Sequence, residues 1–136
     1  MSGGGRNLLW KVLVFAAAVE MGTGVALIVD PTIIVRLLLG AEAAGVGIPL
    51  GRCLGIALVA LAMACWPSRD PATSRRPALR AMLVYNALIA AFLAWLGIAA
   101  RMATLLLWPA VVLHAAVALV LVWAYRDATS TWRTRK

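Results

Sequence analysis

Residues 8–29 read LLWKVLVFAAAVEMGTGVALIV, and this stretch decides the fold class. Apart from Lys11 and Glu20 it carries no ionisable side chain. At ~1.5 Å rise per residue the run makes ~33 Å of helix, enough to cross a hydrocarbon core of ~30 Å. Ala16-Ala17-Ala18 has the small residues of a signal-peptide cleavage site, but the apolar run continues well past it. The apolar region of a signal peptide is only ~7–15 residues long, so an uncleaved membrane anchor is expected.

Working outward, the rest of the chain repeats the theme. Of 136 residues, 64% are hydrophobic and 13% charged. A soluble domain averages ~45–50% apolar and ~25% charged residues, and a core of this size cannot hide such an excess from water. The polar groups collect in short blocks between long apolar runs, the signature of a multi-pass helical membrane protein. Thirteen Lys/Arg against five Asp/Glu give a net charge of +8. These bases flank apolar runs, where they set topology, so a nucleic-acid partner is not expected.

Asp30-Pro31 ends the first run, because proline lacks the N–H that continues a helix. The same pair can open a new one, with Asp30 as cap and Pro31 in the first turn. Residues 32–39 (TIIVRLLL) then fit a short helix stopped by Gly40, too short to span and expected at the interface with Arg36 turned to water. A small-residue loop containing Glu42 leads to a second span over 49–66, stopped by Pro67. Gly47, Gly51 and Gly55 recur there at a spacing of four. On a helix they form a groove for a second backbone, and packing within the chain is the favoured use. Arg52 can snorkel to the interface.

The basic block 68–78 (SRDPATSRRPA) precedes a third span over 78–100 with Asn86 in its interior. A fourth helix is expected over 102–125, with Pro109 either kinking it or starting it, and a basic tail follows over 126–136. The chain thus reads as one all-α integral membrane domain, 1–136: an antiparallel bundle of four transmembrane helices plus a short interfacial helix. Four spans put both termini on one side. Arg6, Lys11, Arg69, Arg75, Arg76, Arg80, Arg126, Arg133, Arg135 and Lys136 fall there, against Arg36, Arg52 and Arg101 opposite. The excess of positive charge makes that side cytoplasmic. Trp10, Trp66 and Trp123 near one interface and Trp95 and Trp108 near the other agree with an aromatic belt. High Ala, Arg and Gly suggest a bacterial source, hence the inner membrane.

Four side chains are candidates for intramembrane work. A carboxylate in the middle of a span is costly, which marks Glu20 first. It reads either as a titrating group that couples a carrier to protons or cations, or as a hydrogen-bonded group that joins helices, with Thr23 or His114 as partner. His114, the single histidine, lies at similar depth if Pro109 only kinks the fourth helix. If Pro109 starts it, the two are offset and Glu20 needs another partner. His114 reads as a proton relay, an axial ligand or an interhelical hydrogen-bonding group. Asn86 is the polar group of the third span. Ala110, His114 and Ala118 share a face, as do Ala16, Ala17, Glu20, Thr23 and Gly24. Cys53 and Cys65 are ~18 Å apart along one helix, too far for a disulfide, and read as packing residues.

Two family resemblances bear on these residues. Ala18-Val-Glu20-Met-Gly22-Thr23 superficially resembles the first helix of small multidrug resistance transporters, whose essential membrane glutamate precedes a Gly-Thr and which are also four-helical. The glutamate-to-glycine spacing is shorter here, and the loop after the first helix, the 68–80 block and the tail depart from that pattern, so the family is not assigned. Ala110-x-x-x-His114, with Trp123 beyond, faintly resembles the pigment-binding helix of bacterial light-harvesting polypeptides, over one helix of four. Without a second histidine, bis-His haem ligation within one chain is excluded.

No Ser/His/Asp set, phosphate loop, HExxH or zinc cluster is present, so no catalytic residue, metal or cofactor is expected. The leading expectation is a non-enzymatic accessory or scaffold subunit that packs through small-residue helix faces. Its partners would be the bilayer and other membrane subunits or a second copy. A proton- or cation-coupled carrier using Glu20 is the alternative, and a haem- or pigment-binding subunit using His114 the third.

Overall fold

The computed structural model describes residues 3–67, 76–102 and 104–133. Among them are five helices and no strand: α1 (Gly3–Val29), α2 (Pro31–Leu39), α3 (Gly47–Cys65), α4 (Arg76–Ile98) and α5 (Leu107–Arg133). Residues 68–75 of the basic block and 134–136 of the tail lie outside the described residues.

Three helices are long and apolar enough to cross a membrane: Asn7–Val29, Gly47–Cys65 and Arg76–Ile98, with mean hydropathies of 2.2, 2.0 and 2.0. The apolar part of α5, Leu107–Trp123, is shorter. In each of the three, a third or less of the most apolar window is buried inside the fold. Their remaining large apolar side chains, among them Phe15, Leu54, Ile56, Leu88 and Phe92, face outward. A surface of that kind suits hydrocarbon and not water. The protein is a multi-pass helical membrane protein.

Local sequence explains the breaks. Asp30 adopts an extended backbone, and its carboxylate accepts a 2.9 Å hydrogen bond from the Thr32 N–H, capping α2 with Pro31 in its first turn. Gly40 closes α2 in the left-handed conformation, φ 70°. The Thr104 hydroxyl lies 2.6 Å from the Leu38 carbonyl and 3.0 Å from that of Leu37. Its proton therefore satisfies end groups of α2 and pins the α4–α5 connection to them.

One boundary corrects the sequence reading. The helix expected over 102–125 does not begin at residue 102. Arg101 takes a left-handed backbone, φ 53°, and residues 105–106 form a turn. The helix begins at Leu107, so Pro109 stands in its first turn, where a missing N–H leaves no bond broken. Pro109 starts α5 instead of kinking it. The helix then continues to Arg133, past the expected end at 125.

The helices pack as two close pairs, α1 with α3 and α4 with α5, and the pairs meet more sparsely. Toward one end, Leu9, Leu13, Ala16 and Ala17 of α1 share a buried cluster with Ala62 and Cys65, Leu79 and Met82, and Val117 and Leu121. Toward the other, Gly24 and Gly55 bring α1 and α3 into backbone contact. A Cβ on Gly24 would lie 2.7 Å from the Gly55 carbonyl oxygen, and one on Gly55 2.6 Å from that of Gly24. Within each pair the helices therefore run in opposite directions, since Gly97 likewise meets Leu107 and Trp108 at the far end of α4–α5.

Candidate functional site

Between the apolar cluster and the glycine crossing lies a polar layer built from three helices. Glu20 comes from α1, Tyr85 and Asn86 from α4 and His114 from α5. Glu20 is 2% exposed and Asn86 1%. Each faces inward for a sequence reason. Glu20 lies one turn from Ala16 and Ala17, which are buried and whose small side chains leave room for close helix packing. Asn86 lies one turn from the fully buried Met82.

The hydrogen bonds form a directed set. The Tyr85 hydroxyl donates to Glu20 Oε2 at 2.9 Å. Asn86 Nδ2 donates to the Met82 carbonyl, one turn back, at 2.8 Å. That leaves Asn86 Oδ1 as an acceptor, and His114 Nδ1 is 2.8 Å from it. Nδ1 must therefore carry a proton, so neutral His114 has its lone pair on Nε2. Glu20 Oε1 is 3.9 Å from the same Nδ1, too far for a hydrogen bond but within reach of charge attraction. The edge of the Tyr85 ring meets the His114 ring, with centroids 5.9 Å apart and planes at 80°. Among the described residues no buried side-chain nitrogen or oxygen lacks a partner.

Glu20 and His114 thus meet although Pro109 starts α5. Their depths compare directly from the end of the bundle where α1 stops and α5 begins. Glu20 is nine residues from Val29 and His114 seven from Leu107, or ~13 and ~10 Å by helical rise. The expected vertical offset is therefore small, and Glu20 has a further partner in Tyr85. Tyr85 was missed in the sequence. The available signal was a phenol buried in an apolar span beside Asn86, because a buried Tyr hydroxyl seeks a partner.

Thr23 lies nearly one turn beyond Glu20, half-buried, and takes no part in the layer. Of the three spaced glycines, Gly55 packs on Gly24 and Gly51 on Pro31, where a Cβ would lie 2.6 Å from the proline Cβ. Gly47 has only Ala43 at 3.9 Å. Cys53 is exposed, whereas Cys65 is buried with its sulfur 3.6 Å from the Ala78 carbonyl, linking α3 to the start of α4.

The layer is tightly packed. The space between Glu20, Asn86 and His114, walled by Phe15, Leu113 and Val117, has no room for a water molecule. No cluster of three metal-ligating side chains occurs among the described residues. What the arrangement can do chemically is hold the two helix pairs together and keep a carboxylate, a phenol and an imidazole in contact. No known family, curated protein or solved structure matches the chain, so its function is argued from this geometry.

Proposed function

We propose that the protein is a non-enzymatic accessory or scaffold subunit of the bacterial inner membrane, and that its polar layer is a structural clasp between two helix pairs. In this reading α1, α3, α4 and α5 are four antiparallel spans, α2 lies at the outer interface, and both termini are cytoplasmic. The apolar part of α5 covers ~25 Å of helix, and the helix continues beyond it, which lets a tilted or slightly thinned bilayer accommodate it. Arg36 and Arg101 at the opposite end, like Lys11, Arg76, Arg80 and Arg126, are exposed, as bases at headgroup level should be.

The observation that carries the reading is the tightly packed, fully partnered layer itself. Its polar groups are answered by one another, and it holds no space for a transported ion with its water. Partners would be other membrane subunits, or a second copy, seated on outward apolar helix faces. Chemical cross-linking in native membranes, followed by purification in mild detergent, tests this. A stoichiometric co-purifying membrane protein or a homo-oligomer is expected, and a monodisperse monomer with no cross-linked partner refutes it.

One observation favours the carrier as second reading. The 3.9 Å approach of Glu20 to His114 joins two titratable groups across the looser interface between helix pairs, where a rocking motion would open them. Proton flux into proteoliposomes separates the two. Flux abolished by Glu20→Gln in a folded protein establishes the carrier, and unchanged background flux supports the clasp. For a haem or pigment, His114 has only Nε2 left to offer, since Nδ1 serves Asn86. That free Nε2 is the nitrogen a ligating histidine would use, so visible absorbance lost on His114→Ala establishes the haem or pigment reading, and a colourless purified protein refutes it.

A further inference from the structure

Between α1 and α5, where the helix pairs pack sparsely, an open groove of about 330 Å³ runs along the molecule. Phe15 on one side and Leu113, Ala116, Val117 and Val120 on the other line it, with Lys11 at one end. Its exposed lining is wholly apolar. Water has nothing to bond there, and an empty gap forfeits dispersion contacts along both helices. Within a bilayer, the abundant filler of such a gap is hydrocarbon.

Lys11 makes the groove more than a gap. It lies eighteen residues from Val29, or ~27 Å along α1, which places it at the edge of a ~30 Å core, at phosphate level. It is exposed, and no described carboxylate pairs with it. The apolar stem of Lys11 lines the end of the channel and carries an exposed ammonium beyond it, a pairing complementary to one molecule class: an acyl chain carrying an anionic head.

We propose that this groove is a binding site for a single anionic phospholipid, its phosphate on Lys11 and one acyl chain along Phe15, Ala116 and Val120. Phe15, Leu113 and Val117 also wall the polar layer. The bound chain therefore covers the lipid-facing side of Glu20 and His114. The proposal rests on the protein lying in a membrane, not on its being a scaffold or a carrier.

The test is native mass spectrometry of protein released from nanodiscs of equal phosphatidylglycerol and phosphatidylcholine. Lys11→Gln removes the charge and Ala116→Phe fills the groove, both at exposed positions. Unaltered helical circular dichroism and a monodisperse elution profile establish that each variant is folded. The unmodified protein is expected to retain one phosphatidylglycerol in preference to phosphatidylcholine. Lys11→Gln should lower that preference about fivefold, the equivalent of ~1 kcal/mol for one basic residue at an anionic surface. Ala116→Phe should abolish retention of either lipid. Equal retention of the two lipids by the unmodified protein, full preference in Lys11→Gln, or a lipid-free dimer would each overturn the proposal.

Discussion

The contact between Gly24 and Gly55 is the sharpest lever on this fold. A methyl group at residue 55 would lie 2.6 Å from the Gly24 carbonyl oxygen, 2.9 Å from an Ile28 side-chain carbon and 3.0 Å from the Ile28 nitrogen. Two of those three atoms are backbone and cannot rotate away. To restore ordinary contact at 3.4 Å, α1 and α3 must separate locally by ~0.8 Å. Overpacking of this kind costs ~1–3 kcal/mol, against which alanine recovers up to ~1 kcal/mol of helix propensity over glycine. Gly55→Ala is therefore expected to destabilise the protein by ~1–2 kcal/mol net, and Gly55→Leu by more. Gly22→Ala is the matched control: nothing lies within 4 Å of its added Cβ, so only the propensity gain remains. Reversible unfolding in mixed micelles, followed by circular dichroism or by a steric-trapping equilibrium, measures both. If Gly55→Ala is as stable as Gly22→Ala, the close crossing does not exist in solution and the α1–α3 pairing is wrong.

Other outcomes follow from the polar layer and the caps. Tyr85→Phe removes the donor to Glu20 and should cost ~0.6 kcal/mol, the average for side-chain hydrogen bonds between membrane helices, and no more than ~1.7 kcal/mol. A stability equal to the unmodified protein would show the bond to be without net effect. Glu20→Gln keeps an oxygen to accept from Tyr85, so the same unfolding assay should find it less damaging than Glu20→Leu, which strands the phenol. Equal losses would refute the directed hydrogen bond. Thr104→Val removes the proton that reaches the end of α2 and should cost ~0.5–1.5 kcal/mol, with faster amide exchange in the α2–α3 loop as its local sign. In mild detergent, a small maleimide should modify exposed Cys53 well before Cys65, which is 1% exposed. Equal labelling rates would contradict the α3–α4 contact.

Much of this protein is legible along the chain. The run over residues 8–29, the Asp30-Pro31 break and the Gly40 stop depend on local chemistry: hydrophobicity, a missing N–H and a permitted positive φ. Local rules act through a few neighbouring residues, so they survive reading one residue at a time. The same holds for Glu20, Asn86 and His114, which announce themselves as polar groups inside apolar runs. The start of α5 was harder to read because Pro109 fits two local descriptions, and the choice between them lies in the Arg101 turn and the Thr104 tether to α2.

Tertiary structure alone decided who meets whom. Depth within a span is a matter of counting, but partnership depends on which helices pair and how they rotate about their axes. A helix rotates by ~100° per residue, so a small change in packing exchanges one face for another. Recurrence every fourth residue gave equal standing to Gly47, Gly51 and Gly55, yet only the last two have a neighbour close enough to require glycine. Tyr85 became the partner of Glu20 because α4 turns that phenol inward. The stretch over residues 8–29 thus establishes by itself that the chain enters the membrane with a carboxylate. That the carboxylate is held by a phenol on α4, within reach of an imidazole on α5, follows from the packing of two helix pairs, which no single helix encodes.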